Sequence, residues 1–226
     1  MPGKITIAID GPAASGKSTT ARVLAQKMGY IYVDSGAMYR AATLAVIQAG
    51  INIDDEQTVT RFVEKIKITI KAHPAGQKTY LNGKDVTHLI RSPQVNEVIS
   101  VISAYPGVRA CLVRMQRQLA EEGGVVMDGR DIGTVVLPDA DLKVFMVASL
   151  QERARRRLKE LQAQGEKMLL EEVLAEISQR DRLDSSRDTA PLKMADDARP
   201  LDTSQLSIEE QVDIIEKWAK EIKDIK

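Results

Sequence analysis

The stretch Gly11-Pro12-Ala13-Ala14-Ser15-Gly16-Lys17-Ser18-Thr19 constrains this chain more than any other. It fits G-x-x-x-x-G-K-[ST], the pattern of a loop that wraps an oligophosphate. Glycines let the backbone close around an anion with its N–H groups turned inward. A helix starting at the end of such a loop adds its positive pole. Lys17 is placed to reach the β- and γ-phosphates, and Ser18 to offer a hydroxyl to Mg²⁺. So short a pattern also occurs as a glycine-rich turn with an exposed lysine, and its flanks decide between the two. Upstream, Ile5-Thr6-Ile7-Ala8-Ile9 reads as a buried strand. Downstream, Ala21, Leu24, Ala25 and Met28 fall on one face of a helix predicted over 20–28, which Gly29 ends. Strand, loop and helix arrive in the order a nucleotide-phosphate site requires.

The same rhythm continues. Tyr30 to Asp34 reads as a second strand, followed by Ser35-Gly36-Ala37-Met38-Tyr39-Arg40 and a helix through Ala49. Such alternation predicts a parallel sheet. The period then changes. Asp54 is the expected cap of a short helix, Lys67 to Lys71 alternates with period two, and Asn82-Gly83 between Lys78–Leu81 and Asp85–Thr87 predicts a hairpin. Ser92-Pro93 and Pro106 each start a helix, the first with serine as its cap. Val125-Val126-Met127 is a buried strand delivering Asp128-Gly129-Arg130-Asp131, and Leu142 to Ala148 is another. Ser149 to Glu152 and Ser207 to Glu210 read as capping boxes, and Gly165 separates two helices, the second predicted over 169–183. Leu201 belongs to a short last strand, before a final amphipathic helix.

The expected fold is therefore an α/β phosphate-loop protein in three layers. It has a parallel sheet of about five strands, a small α+β insert and a helical lid. One domain is expected, with a core at about 1–59, 91–150 and 190–226, the insert at about 60–90, and lid and acceptor-binding helices at about 151–189. In open sheets of this type ligands bind beyond the carboxyl ends of the strands. That rule lines up the loop 11–19, residues 34–40 and residues 128–131 on one rim.

Composition narrows the class. Lys+Arg and Asp+Glu both number 32, so the 226 residues lack the basic excess of a general nucleic-acid binder. The one cysteine, Cys111, sits in a helical pattern and is expected to be buried; a disulfide framework or a Cys/His zinc set cannot be built. The N-terminal apolar run is too short for a signal peptide, and no segment reaches the length of a membrane span. A cytoplasmic enzyme acting as a monomer is expected, with no nucleic-acid or membrane partner.

On the rim, arginines stand out: Arg40, Arg109, Arg130, and the pair Arg180 and Arg187. A guanidinium binds phosphate through a planar fork and stays charged. Each alone is more often a solvated surface charge, but Arg40 and Arg130 follow strand ends. Asp34-Ser35-Gly36-Ala37-Met38-Tyr39-Arg40, Asp128-Gly129-Arg130-Asp131-Ile132-Gly133-Thr134 and Gln179 to Arg187, with the loop 11–19, resemble the bacterial-type cytidylate kinases over essentially the whole chain. The pattern D-S-G-x-x-Y-R followed by D-G-R-D-x-G-T is far more specific than the phosphate loop. The resemblance implies phosphoryl transfer from ATP, with Mg²⁺, to CMP or dCMP. By the same resemblance, Gly11 to Thr19 would hold ATP. Ser35 and Arg40 would bind the acceptor, and Ser100, Arg109 and Asp131 would read cytosine. Arg130 and Arg187 would take phosphate, and Arg180 and Asp184 the pentose. Lys17, Arg130, Arg187 and Arg157 would act on the transferring group.

The residue chemistry agrees with that reading. Cytosine offers an exocyclic amine beside ring acceptors; a carboxylate accepts from the amine and an arginine donates to the acceptors. Uracil carries a carbonyl instead of the amine and would leave Asp131 without its bond. Arg153 and Arg157 share a helix face; they are either solvated pairs with Glu152 and Glu160 or the arginines of a closing lid, Arg153 on the ATP side. Asp128, at a strand end, is expected to meet Mg²⁺ through water, with Ser18 as the direct ligand, or else to order loop amides. A uridylate or adenylate kinase is the alternative within the class. A GTP switch would need N-K-x-D after a core strand, which Asn82-Gly83-Lys84-Asp85 is not.

Overall fold

Five parallel strands form the centre of the computed structural model, which describes residues 4–73, 76–163, 165–187 and 189–225. In chain order the elements are β1 (Thr6–Asp10), α1 (Lys17–Met28), β2 (Ile31–Asp34), α2 (Ser35–Gln48) and α3 (Glu56–Val63). Then come β3 (Ile68–His73), β4 (Gly76–Leu81), β5 (Lys84–Asp85), α4 (Pro93–Ile102), α5 (Pro106–Ala120) and β6 (Val125–Gly129). The chain closes with β7 (Leu142–Val147), α6 (Leu150–Ala163), α7 (Leu170–Ser185), β8 (Arg199–Asp202) and α8 (Ile208–Ile225). The main sheet runs β2-β6-β1-β7-β8, and β3-β4-β5 make a separate antiparallel sheet.

Strand periodicity sets the layers. Ile7 and Ile9 of β1 point to one face, where they meet Leu24 and Ala25 of α1 and Val212, Ile215 and Ala219 of α8. Ala8 points to the other, with Val33, Met127, Met38 of α2 and Ala120 of α5. Both faces are covered, as an all-parallel sheet requires. Registry then aligns the functional ends. Asp34 lies opposite Asp128, and Asp10 opposite Gly129 on one side and Phe145 on the other. The three-stranded sheet stands beside the edge strand β2 and turns at Asn82-Gly83, both with positive φ, the geometry a tight hairpin demands.

Three helix starts differ from expectation. Asp55, not Asp54, caps α3: its carboxylate accepts from the Thr58 N–H at 3.0 Å, while the Asp54 N–H is drawn onto Asn52 Oδ1 at 3.1 Å. Ser92 precedes α4 without a side-chain cap, because Pro93 at the first position already removes one donor and fixes the entry. At α6 only half of the expected box forms. Ser149 Oγ accepts from the Glu152 N–H at 3.2 Å, but the Ser149 N–H goes to Ser204 Oγ and the Glu152 carboxylate faces Arg155 and Arg156. The box at α8 is complete, Ser207 and Glu210 each accepting from the other's backbone N–H. Cys111 is buried and free. Among the described residues no single helix is long and apolar enough to cross a membrane.

Candidate active site

Behind β1 the chain passes Gly11, where a Cβ would stand 2.3 Å from the Met146 carbonyl oxygen of β7. Only glycine allows the loop to start so close to the neighbouring strand. The loop ends at Gly16 (φ 92), and α1 begins with no side-chain cap and no acid in its first turn. The positive end of the helix is thus left to an external anion. Lys17 folds back over the loop, donating from Nζ to the Pro12 carbonyl at 3.1 Å. Ser18 Oγ donates to Asp128 Oδ2 at 2.7 Å, and the Tyr32 hydroxyl to Asp128 Oδ1 at 2.8 Å. A hydroxyl and a carboxylate, both hard oxygens beside a phosphate cradle, fit a magnesium ion that keeps several waters and takes its other ligands from phosphate. No cluster of three or more His, Cys, Asp or Glu among the described residues offers a cage of another kind.

A cleft of about 1100 Å³ opens in front of this loop. Lys17 and Ser18 line it together with Arg40, Ser100, Arg130 and Arg180, and Arg157 joins them from α6. Gln77 and Thr79 of β4, with Thr87 just after β5, complete the wall, and Gln77 Oε1 accepts from the Asp34 N–H at 2.8 Å. The cations burden one another. Burial and then the Arg130 charge bring Lys17 down to about 7, and the same two causes bring Arg180 down to about 10, although Arg180 itself opens onto the cleft solvent. Burial and then Arg91 lower Arg40. Such a crowd is relieved by a polyanion. Burial and then Asp34 raise Asp128 to about 6, against the pull of Lys17.

Behind the cleft wall lies a second set. Arg109 and Asp131 form a buried ion pair, with the guanidinium over the Tyr39 ring, 5.5 Å from its centre. Burial raises Asp131 despite Arg109. Ser35 Oγ donates to the Asp128 carbonyl at 2.7 Å. Asp184, on α7, accepts from Arg130 Nε at 2.6 Å and from Arg187. Burial opposes its charge, but Arg130 and then Arg187 and Arg180 hold it below the usual carboxylate range.

The model of one protein family, described as cytidylate kinase, matches residues 7–223. The chain belongs to the cytidylate kinase family. A cytidylate kinase of Bacillus pumilus (strain SAFR-032) is 50% identical over 210 residues, which cover 93% of each chain. One of Bacillus thuringiensis (strain Al Hakam) is 51% identical over 212 residues, 94% of each. Among solved structures, that of an uncharacterized protein from Eubacterium ventriosum ATCC 27560 superposes with a TM-score of 0.55 over 96% of this chain and 99% of that one. At 13% identity it shares the fold alone.

For this cytidylate kinase chain, the residues singled out from sequence fall into three places. Ala13, Ala14, Gly16, Lys17, Ser18 and Thr19 of the loop, with Arg40, Ser100, Arg130, Arg157 and Arg180, face the cleft. Ser35, Arg109, Asp131, Asp184 and Arg187 stand behind that wall, Asp131 paired with Arg109, Asp184 with Arg130 and Arg187, and Ser35 bonded to the Asp128 carbonyl. Arg153 is on the far side of the loop. It is buried, paired with Asp181 at 2.6 Å, and donates to the outward Ala13 carbonyl at 3.2 Å. Its neighbour Arg156 does likewise to the Ser15 carbonyl at 3.3 Å and to Thr203. Sequence reasoning passed over Arg156, Asp10 and Tyr32. Asp10 accepts from the N–H groups of Ile132 and Gly133 at 2.8 and 2.7 Å, fixing the turn that carries Arg130 and Asp131. Burial raises it to about 6, against those two bonds. An acid closing an otherwise apolar strand was the available signal for it.

Proposed function

We propose that this cytidylate kinase transfers the γ-phosphoryl group of ATP to CMP or dCMP, releasing ADP and the nucleoside diphosphate, and that it works as a monomer. The observation that carries the reading is the convergence, on one cleft, of the phosphate loop and the guanidinium groups of Arg40, Arg130 and Arg180. An oxygen of the acceptor phosphate attacks the γ-phosphorus; the bond to the β–γ bridging oxygen breaks, and its electron pair leaves with ADP. The acceptor oxygen is already anionic near neutral pH, so no strong base is needed. Loop amides and Lys17 hold the β- and γ-phosphates, and Lys17 follows the charge to the leaving oxygen. Arg40, Arg130 and Arg187 neutralise the acceptor phosphate and align it for in-line attack. Ser18 and, through water, Asp128 would hold magnesium, which would supply Lewis-acid neutralisation of the donor phosphates.

Asp131 and Arg109 read the cytosine edge with Ser100; Asp184 and Arg180 take the pentose, and Ser35 helps seat the acceptor. We assign the helical segment at about 151–189, α6 and α7, to a lid whose Arg157 closes over the transferring group. Closure excludes water that would otherwise consume ATP. In this scheme Arg153 serves ATP by anchoring its loop. The insert around 60–90 is the outer wall of the acceptor side.

An ADP-release assay with CMP, dCMP, UMP, AMP and GMP tests the reading. CMP and dCMP are expected to be turned over, with UMP at least about tenfold poorer in kcat/KM. A preference for AMP or GMP, or ADP release unaffected by acceptor, would overturn it. A pH dependence follows from Asp128. Raised to about 6 by burial, its carboxylate is charged above that pH and protonated below it. Hence kcat/KM for ATP should fall as pH drops through about 6, and Asp128→Asn should start low and lose that acid limb. An identical limb in the variant would remove Asp128 as its source.

A further inference from the structure

Tyr39 has a place in the apolar core and a hydroxyl that does not belong there. It belongs to the core cluster that also holds Ala42, Val108 and Leu112, and the residue is only 9% exposed. The phenolic oxygen is buried, and no protein group among the described residues hydrogen-bonds to it. A buried hydroxyl without a partner carries a cost that phenylalanine in the same place would avoid. The surroundings indicate what the hydroxyl is for. Arg109 lies over the ring, and the charges of Arg109, Asp131 and Arg187 all act on the phenol, which burial pushes up to about 12. These are three of the residues assigned above to the acceptor. On α2, Tyr39 is one turn from Ser35 and adjacent to Arg40, which faces the cleft.

We infer that Tyr39 is a further acceptor-recognition residue: its ring seats the Arg109 guanidinium against Asp131, and its hydroxyl hydrogen-bonds to the bound pyrimidine nucleotide. The inference rests on the proposed function. It divides the aromatic side chain into two separable parts. The ring contributes a cation–π contact and core packing, which phenylalanine keeps. The hydroxyl contributes one neutral hydrogen bond, made only when the acceptor is present.

Tyr39→Phe isolates the second part. Expected is a KM for CMP raised by about threefold to tenfold with KM for ATP unchanged. The Tm without nucleotide should stay the same or rise, and the Tm increase produced by CMP should shrink. An unchanged KM for CMP, as for a hydroxyl met by solvent alone, overturns the inference. So does a lower Tm with both KM values unchanged, or a variant that fails to fold, since either marks the hydroxyl as structural. Wild-type protein that neither turns over CMP nor is stabilised by it overturns the proposed function instead, whatever the variant does.

Discussion

Lys17→Ala is expected to lower kcat by about a thousandfold or more with every acceptor. The side chain is buried beside the phosphate loop, and its ammonium already suffers from burial and from Arg130. The charge is therefore poorly accommodated by the protein alone. It is best satisfied by the β- and γ-phosphates, and more so as negative charge moves onto the leaving oxygen. Two consequences separate this from ordinary destabilisation. Without nucleotide, the Lys17→Ala protein should match or exceed the wild-type Tm, because a strained cation has been removed. Lys17→Arg should not restore turnover, since a planar fork does not replace a compact ammonium in a cradle of this size. Near-normal kcat in Lys17→Ala would withdraw the loop from catalysis altogether.

Asp131→Ala should have the second-largest effect, of a different kind. Asp131 is 5% exposed and its carboxylate is paired with Arg109, which is 4% exposed. Removing one member of a buried pair strands the other charge, at a typical cost of about 3 kcal/mol. A clear fall in Tm is therefore expected together with the kinetic change. The kinetic change itself should be selective. With the acceptor for the cytosine amine gone, kcat/KM for CMP should fall by about a hundredfold while KM for ATP changes little. The ratio of CMP to UMP turnover should collapse, because the lost group is the one that distinguishes an amine from a carbonyl. Asp131→Asn retains the shape and reverses the polarity of one edge, so its preference should move toward UMP. Equal rises in KM for CMP and ATP would take Asp131 out of the acceptor pocket.

What the sequence made legible was local. The β1–loop–α1 unit, the hairpin at Asn82-Gly83 and the buried run before Asp128 each carry their geometry within a few residues, through periodicity or a required φ. Partner choice was not legible, because it depends on sheet order. The Tyr32 hydroxyl reaches Asp128 only because β2 and β6 are neighbours, and Asp10 holds Ile132 and Gly133 across more than half the chain. The arginine run on α6 shows the same limit. Read as a periodic surface it is one basic face. Folded, it divides by partner. Arg153 and Arg156 turn to the outward carbonyls of the phosphate loop, Arg155 faces Glu152, and Arg157 alone of the four lines the cleft. The cap expected at Asp54 and the second half of the box expected at Ser149 failed for a related reason. Several polar groups near each helix start compete for the same donors, and Asn52 and Ser204 decide the outcome.

The central claim is that donor and acceptor meet end to end in one cleft of one chain. Calorimetric titration with a bisubstrate in which adenosine and cytidine are joined through a polyphosphate tests it most directly. The account predicts one molecule bound per chain, more tightly than ATP or CMP alone, and displaced by either nucleotide. Binding no tighter than ATP, with CMP unable to displace it, would contradict the account.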